Sequence, residues 1–206
     1  MFPLQSAPLP GDTLPLRIFE PRYTRLVQDC LAADDPVFGV VLISRGREVG
    51  GGDIRGDVGA LARITHCVDA GAGQYQLLAS VGERIRVRDW LPDDPYPRAE
   101  VETWPDEAGE AVPPERIGEV IDRILTLYRR VAEASGQQVG PAALAVDSDT
   151  ADDPGRHLYA LAGRVPMGQA DRYAVLSAPT LAERVDVLLD AVDTVTAMVE
   201  FGLADE

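Results

Sequence analysis

The residues best suited to chemistry are few, and their spacing works against it. His66 and Cys67 are adjacent, and because successive strand side chains point to opposite faces, the pair does not close on one metal ion. Asp153 and His157 stand one helical turn apart. An acid at a helix start satisfies backbone donors, which leaves the imidazole as a surface partner rather than half of a dyad. Two acid pairs, Asp93-Asp94 and Asp152-Asp153, lie beside prolines without the further ligands of a calcium loop, and read as solvated turns. Gly50-Gly51-Gly52 has neither a following helix nor a lysine to hold a phosphate, and reads as a flexible connection. No G-x-S-x-G elbow, H-E-x-x-H helix or paired C-x-x-C motif occurs. The sequence therefore names no catalytic residue, no metal ligand and no cofactor.

Composition sharpens that reading. All 19 basic residues are Arg, and both Lys and Asn are absent. A P-loop lysine, a Schiff-base lysine and a Ser-Lys dyad are excluded, since each needs an amine at a defined place. The net charge of −15, from 34 acids against 19 bases, opposes binding to nucleic acid or an anionic membrane. Charge is uneven along the chain: residues 1–105 hold 15 acids and 11 arginines, residues 106–206 hold 19 and 8, so the first part alone has appreciable positive surface. Cys30 and Cys67 read as reduced, structural thiols. The N-terminus lacks a basic segment leading into an apolar run, and the longest apolar run, Val37 to Ile43, is far below the roughly 18 residues of a membrane span. The expectation is a cytoplasmic protein with no membrane contact. At 46% hydrophobic and 26% charged residues, it can bury a core.

Two kinds of periodicity divide the elements. Up to Trp104 the pattern is that of strands: Val37 to Ile43, Val58 to Ile64, and Tyr75 to Val81 after a Gly71-Ala72-Gly73 turn. Arg84-Ile85-Arg86-Val87-Arg88 alternates, which predicts Ile85 and Val87 inside and three arginines outside. Turn chemistry is expected at Arg45-Gly46-Arg47-Glu48. One helix is predicted from Pro21, with Tyr23, Leu26, Val27 and Leu31 on its apolar side. Several strands and one helix suggest a small, partly closed barrel. Beyond a linker at 105–114 the period becomes helical. Ile117, Val120, Ile121, Ile124, Tyr128 and Val131 form one stripe that Gly136 ends. Asp153-Pro154 starts a helix running to Val165, a shorter one covers Gln169 to Leu176, and Thr180 to Glu183 has capping-box spacing ahead of a long apolar stripe. The prediction is an α+β protein with a β lobe at 1–105 and a helical bundle at 106–206.

Apolar residues in turn-rich segments supply the remaining functional signal. Phe2, Leu9, Leu14, Ile18, Phe19, Trp90, Tyr96 and Trp104 exceed what turns and linkers need. Most belong in a core, and some can form an open groove for extended peptide, bordered by Arg17, Arg22, Arg84 and Arg86.

These residues also carry a family resemblance. Phe2-Pro3-Leu4 and the run from Leu9 to Tyr23, L-P-G-D-T-L-P-L-R-I-F-E-P-R-Y, resemble the opening of the substrate-binding N-terminal domain of Lon proteases. Phe38-Gly39-Val40-Val41, Val58 to Ile64, and Gly82-Glu83-Arg84-Ile85-Arg86-Val87 follow in that family's order, and Trp90-Leu91-Pro92 with Tyr96-Pro97 resembles the segment that leaves this strand. Leu176 and Leu181-Ala182-Glu183-Arg184 resemble its later helical region. The resemblance implies a PUA-like β-barrel followed by helices, and a non-catalytic module that binds unfolded or degron-bearing proteins. Arg17, Ile18, Phe19, Arg22, Trp90 and Tyr96 become the candidate peptide-binding residues. It further implies an ATP-dependent protease as partner, a stand-alone member of the family, and an adaptor or regulatory role without proteolysis of its own. The alternative is RNA binding, which PUA-like barrels elsewhere perform, through a basic patch at Arg84, Arg86 and Arg88.

Overall fold

The computed structural model describes residues 1–45, 54–135, 140–146 and 148–204. The turn expected after Arg45, the triple glycine and the stop at Gly136 lie outside them. Backbone contacts group the chain into two compact units, Met1–Pro105 and Asp106–Glu206.

The first unit is a six-stranded mixed sheet with one helix. Its elements are β1 (Phe2–Leu4), β2 (Thr13–Ile18), α1 (Pro21–Ala32), β3 (Val37–Arg45), β4 (Ile54–Gly71), β5 (Gln74–Leu91) and β6 (Arg98–Thr103). The order is β1-β3-β4-β5-β2, with β6 also on β5. The β1–β3 pair is parallel and the others are antiparallel. β5 is the spine. One of its edges holds β4, and the other holds β2 along Tyr75 to Ser80 and β6 along Ile85 to Leu91. The strands expected at 75–81 and 84–88 are thus one strand. A register shift against Ala60 and Ala62 absorbs Gly82-Glu83 without ending it. No ladder closes β1 onto another edge among the described residues, but the Met1 amine donates to the carbonyl of Pro97, just before β6, at 2.7 Å. That bond is the partial closure of the barrel.

Period two explains what lies inside. Leu77, Ala79, Val81, Ile85 and Val87 of β5 are buried, as alternation predicts. Tyr23, Leu26 and Val27 bring the apolar face of α1 onto Phe2, Phe38, Val40, Ala60 and Ala62, and the Phe2 and Tyr23 rings stand 4.3 Å apart. A β-carbon on Gly59 would lie 2.1 Å from the Val40 carbonyl oxygen, so β3 and β4 approach only because that residue has none.

The second unit is helical. It comprises α2 (Pro114–Ser135), a 3-10 turn at Pro141–Leu144, α3 (Ser148–Ala151), α4 (Pro154–Ala162), α5 (Gln169–Ser177) and α6 (Leu181–Ala204). Asp153 caps α4, accepting from the amides of Gly155 at 2.9 Å and Arg156 at 3.1 Å. Thr180 caps α6, its Oγ1 accepting from the Glu183 amide at 3.2 Å and its hydroxyl donating to the Glu183 carboxylate at 3.2 Å. Ion pairs Arg116–Asp186, Arg123–Asp193 and Arg130–Glu200 advance by one heptad on both helices, so α2 and α6 run parallel. The α2 stripe is rotated from the expected one. Leu127 is fully buried while Val131 is exposed, because α6 is met on the Val120-Ile124-Leu127 side. α4 ends at Ala162, short of Val165, since Gly163 closes it. No helix among the described residues is long and apolar enough to cross a membrane.

Candidate peptide-binding surface

Alternation along β2 sorts its side chains onto two faces. Leu14, Leu16 and Ile18 turn to the core, while Thr13, Pro15, Arg17 and the following Phe19 are exposed. On the same outer face, β5 places Leu78 opposite Pro15 and Gln76 opposite Arg17. β4 adds His66 opposite Leu78 and Val68 opposite Gln76. The outcome is a solvent-facing strip in which Phe19 is 58% exposed, Val68 48% and Leu78 41%. Among the described residues Arg17 makes no ion pair, ring contact or hydrogen bond. Neighbouring arginines do: Arg22 with Glu20, Arg25 with Asp29, Arg55 with Asp93, Arg63 with Asp35, Arg88 with Glu102.

The backbone of β2 is as informative as its side chains. β2 ends the sheet order, and the Val81 amide donates to the Asp12 carbonyl at 2.9 Å. Hydrogen-bonded and non-bonded pairs alternate in an antiparallel ladder. Leu14, Leu16 and Ile18 therefore bond to β5, and the main-chain groups of Thr13, Pro15 and Arg17 face the outer edge. Pro15 fits that position because no ladder donor is lost there.

The other predicted site residues lie elsewhere. Ile18 is 2% exposed and belongs to the core, since it is out of phase with Arg17 and Phe19. Arg22 holds the entrance of α1, with its guanidinium 3.1 Å from Glu20 and 4.4 Å from the Tyr23 ring centroid. Tyr96 donates its hydroxyl to Asp29 at 2.9 Å, and burial pushes the phenol pKa up. Trp90 lies under Arg55 at 4.9 Å, and Arg55 is bidentate to Asp93 at 3.1 and 3.0 Å. Ile18 pairs with Tyr75 whereas Trp90 pairs with Ala99. Tyr75 and Trp90 are 15 residues apart along β5, so Ile18 and Trp90 lie at different stretches of that strand. Phe2, Leu9 and Trp104 are buried too.

The structure also sorts the less specific candidates. Arg84 is buried rather than outward, with its Nε donating to the Trp104 carbonyl at 2.9 Å. Arg84 and Arg86 both stack on the Trp104 ring, at 4.0 and 3.6 Å. With Arg88 on Glu102, this row is a clamp at the exit of the sheet and not an open cationic stripe. The register shift between Ile64 and His66 turns Cys67 toward the core and His66 outward. Cys30 and Cys67 are free thiols whose pKa burial raises. His157 sits low because burial disfavours its charged form. Among the described residues no group of three His, Cys, Asp or Glu side chains is placed to hold a metal. Pro15, Leu78 and Val68 were missed from the sequence, although the strict alternation of T-L-P-L-R-I-F marks a half-buried strand.

The chain matches the ATP-dependent protease La (LON) substrate-binding domain over residues 1–194. It is similar to Lon protease 2 of Myxococcus xanthus, 29% identical over 184 residues that cover 88% of this chain and 21% of that protein. It is likewise similar to Lon protease 2 of Sorangium cellulosum, 26% identical over 92% of this chain and 24% of the relative. The chain thus spans about a fifth to a quarter of these curated relatives. Among solved structures, a Lon N-terminal domain protein from Xanthomonas campestris aligns with TM-score 0.65 and 26% identity, over 92% of this chain and 95% of that one. The N-terminal domain of Mycobacterium avium complex Lon protease aligns with TM-score 0.60 over 93% and 96%; at 18% identity it shares the fold.

Proposed function

The chain belongs to the Lon substrate-binding domain family, and from that premise we propose that it is a non-catalytic module that captures exposed apolar segments of unfolded or degron-bearing proteins. The reading extends to a cytoplasmic adaptor or regulator that presents such clients to an ATP-dependent protease. One observation carries it: an exposed phenylalanine, Phe19, directly follows an edge strand whose exposed Arg17 side chain has no partner among the described residues. An aromatic anchor and a free guanidinium next to an open strand edge are the parts that peptide recognition uses. A chain without lysine carries no Ser-Lys dyad of its own, in keeping with binding rather than cleavage.

The test compares a permanently unfolded, reduced and carboxymethylated protein with its native form as ligands for the immobilised chain. Preference for the unfolded form is expected. Phe19→Ser should weaken it about tenfold, the loss of roughly 1–2 kcal/mol of apolar burial, with the far-ultraviolet circular dichroism unchanged. Equal retention of native and unfolded ligand would overturn the reading.

A further inference from the structure

We infer that the outer edge of β2 takes up an extended client segment as an added antiparallel strand, in a register that sets an apolar residue against Phe19 and, two residues later, an acidic residue against Arg17. This rests on the protein-binding reading above and specifies the chemistry of the client.

The argument begins with the main chain. Arg17 and Thr13 each turn an N–H and a C=O to the open edge, and Pro15 between them turns only a C=O. An antiparallel strand exchanges both bonds with a residue in a hydrogen-bonded pair. Full pairs form opposite Arg17 and Thr13, and opposite Pro15 the client only donates. The missing donor at Pro15 blunts the edge against indiscriminate pairing, as edge prolines do, and leaves the two flanking pairs to fix the register. Side chains then follow by geometry. Cross-strand partners share a face, so the client residues opposite Arg17 and Phe19 lie on the same outer strip and are two apart. Running antiparallel, the client meets Phe19 first and Arg17 second, giving the order apolar, any residue, acidic.

Charge completes the choice of occupant. Glu20, the acid nearest to Arg17 in sequence, is held at 3.1 Å by Arg22. With no ion pair to any described residue, Arg17 meets the incoming strand as a cation beside an exposed ring. A carboxylate is what such a position selects, and a client lysine there meets like charge.

The test uses the whole chain and fluorescein-labelled nine-residue peptides of alternating pattern, centred on Leu-Thr-Asp or Leu-Thr-Lys, with binding read by anisotropy. The Asp peptide should bind about tenfold tighter than the Lys peptide, and Arg17→Glu should reverse the order, since attraction and repulsion exchange places. Two N-methylated Asp peptides test the strand itself without altering the protein. Methylation of the Asp amide, which faces β2, should cost about tenfold, and methylation of the Thr amide, which faces away, should cost nothing. Equal loss at both amides, or an Arg17→Glu protein with unchanged preference, sinks strand addition. If the wild type still retains the carboxymethylated unfolded protein, only this inference falls; if it retains neither, the protein-binding reading falls with it.

Discussion

Arginine serves this chain as its only basic side chain, and position alone decides what each copy does. Arg184 is fully buried against Asp106 and lies 4.1 Å from the Tyr159 ring. Arg55 bridges Trp90 and Asp93, and Arg17 is left to solvent. The absence of lysine has a second consequence, because the Met1 α-amine is the one amine in the sequence. Burial lowers its pKa from 8.0 to about 6. The folded protein favours the neutral amine, and the unfolded chain binds the proton more readily between these values. Its contribution is therefore complete above pH 8 and is lost as pH falls through 6, amounting to about 3 kcal/mol for two pKa units. Competitive amine labelling of the native protein should show a midpoint near pH 6 that returns toward 8 in urea, and urea-unfolding stability should rise between pH 6 and 8.5. A native midpoint at 8 would show that the amine is solvated.

At the scale of elements, the strands and helices rest on two periods and a few punctuating residues. Ala72 and Gly73 connect β4 to β5, both with positive φ (53° and 75°). A two-residue hairpin turn with positive φ at both positions is the type I′ form, which favours Asn-Gly. The sequence supplies Ala-Gly, and an alanine held left-handed costs about 1 kcal/mol. Ala72→Asn should therefore stabilise the first unit by about that amount, visible as a rise of several degrees in Tm, with Arg17 and Phe19 undisturbed. An unchanged or lower Tm would show that the turn holds no such strain. The alternation that makes β5 legible runs through β2 as well, but Pro15 inside it argues against a central strand. Pro15 is compatible with a strand only because β2 lies at an edge, and edge position is not written in the segment itself.

For the molecule as a whole, the informative contact is Arg184 to Asp106, since it ties residues 78 apart within the second unit. Arg184 falls on the apolar side of α6 with Val185 and Leu188, and its side chain is 0% exposed against 34% for Asp106. Removing the carboxylate leaves a buried cation without its counter-charge. Asp106→Ala is expected to lower the stability of the helical unit by about 3 kcal/mol, the low end of the range for broken buried pairs because Asp106 is partly hydrated. Arg184→Met in the same chain should restore part of the loss, and a double variant worse than Asp106→Ala would contradict the account. Arg184 could have been flagged from its helical phase alone. Its partner could not, since Asp106 reads as one more acid of a linker.

Local pattern was sufficient for the α+β division, the change of period near Trp104, the caps at Asp153 and Thr180, and the family resemblance in Leu9 to Tyr23. Each depends on neighbours a few residues away, where backbone geometry fixes which side chains share a face. Tertiary structure alone decided that Ile18 is core while Phe19 is surface, that Arg55 and Asp93 hold Trp90, that Arg84 and Arg86 stack on Trp104, and that the Arg17 side chain has no partner among the described residues. Exposure and pairing depend on what the sheet brings from far along the chain, and periodicity assigns a face without saying what covers it.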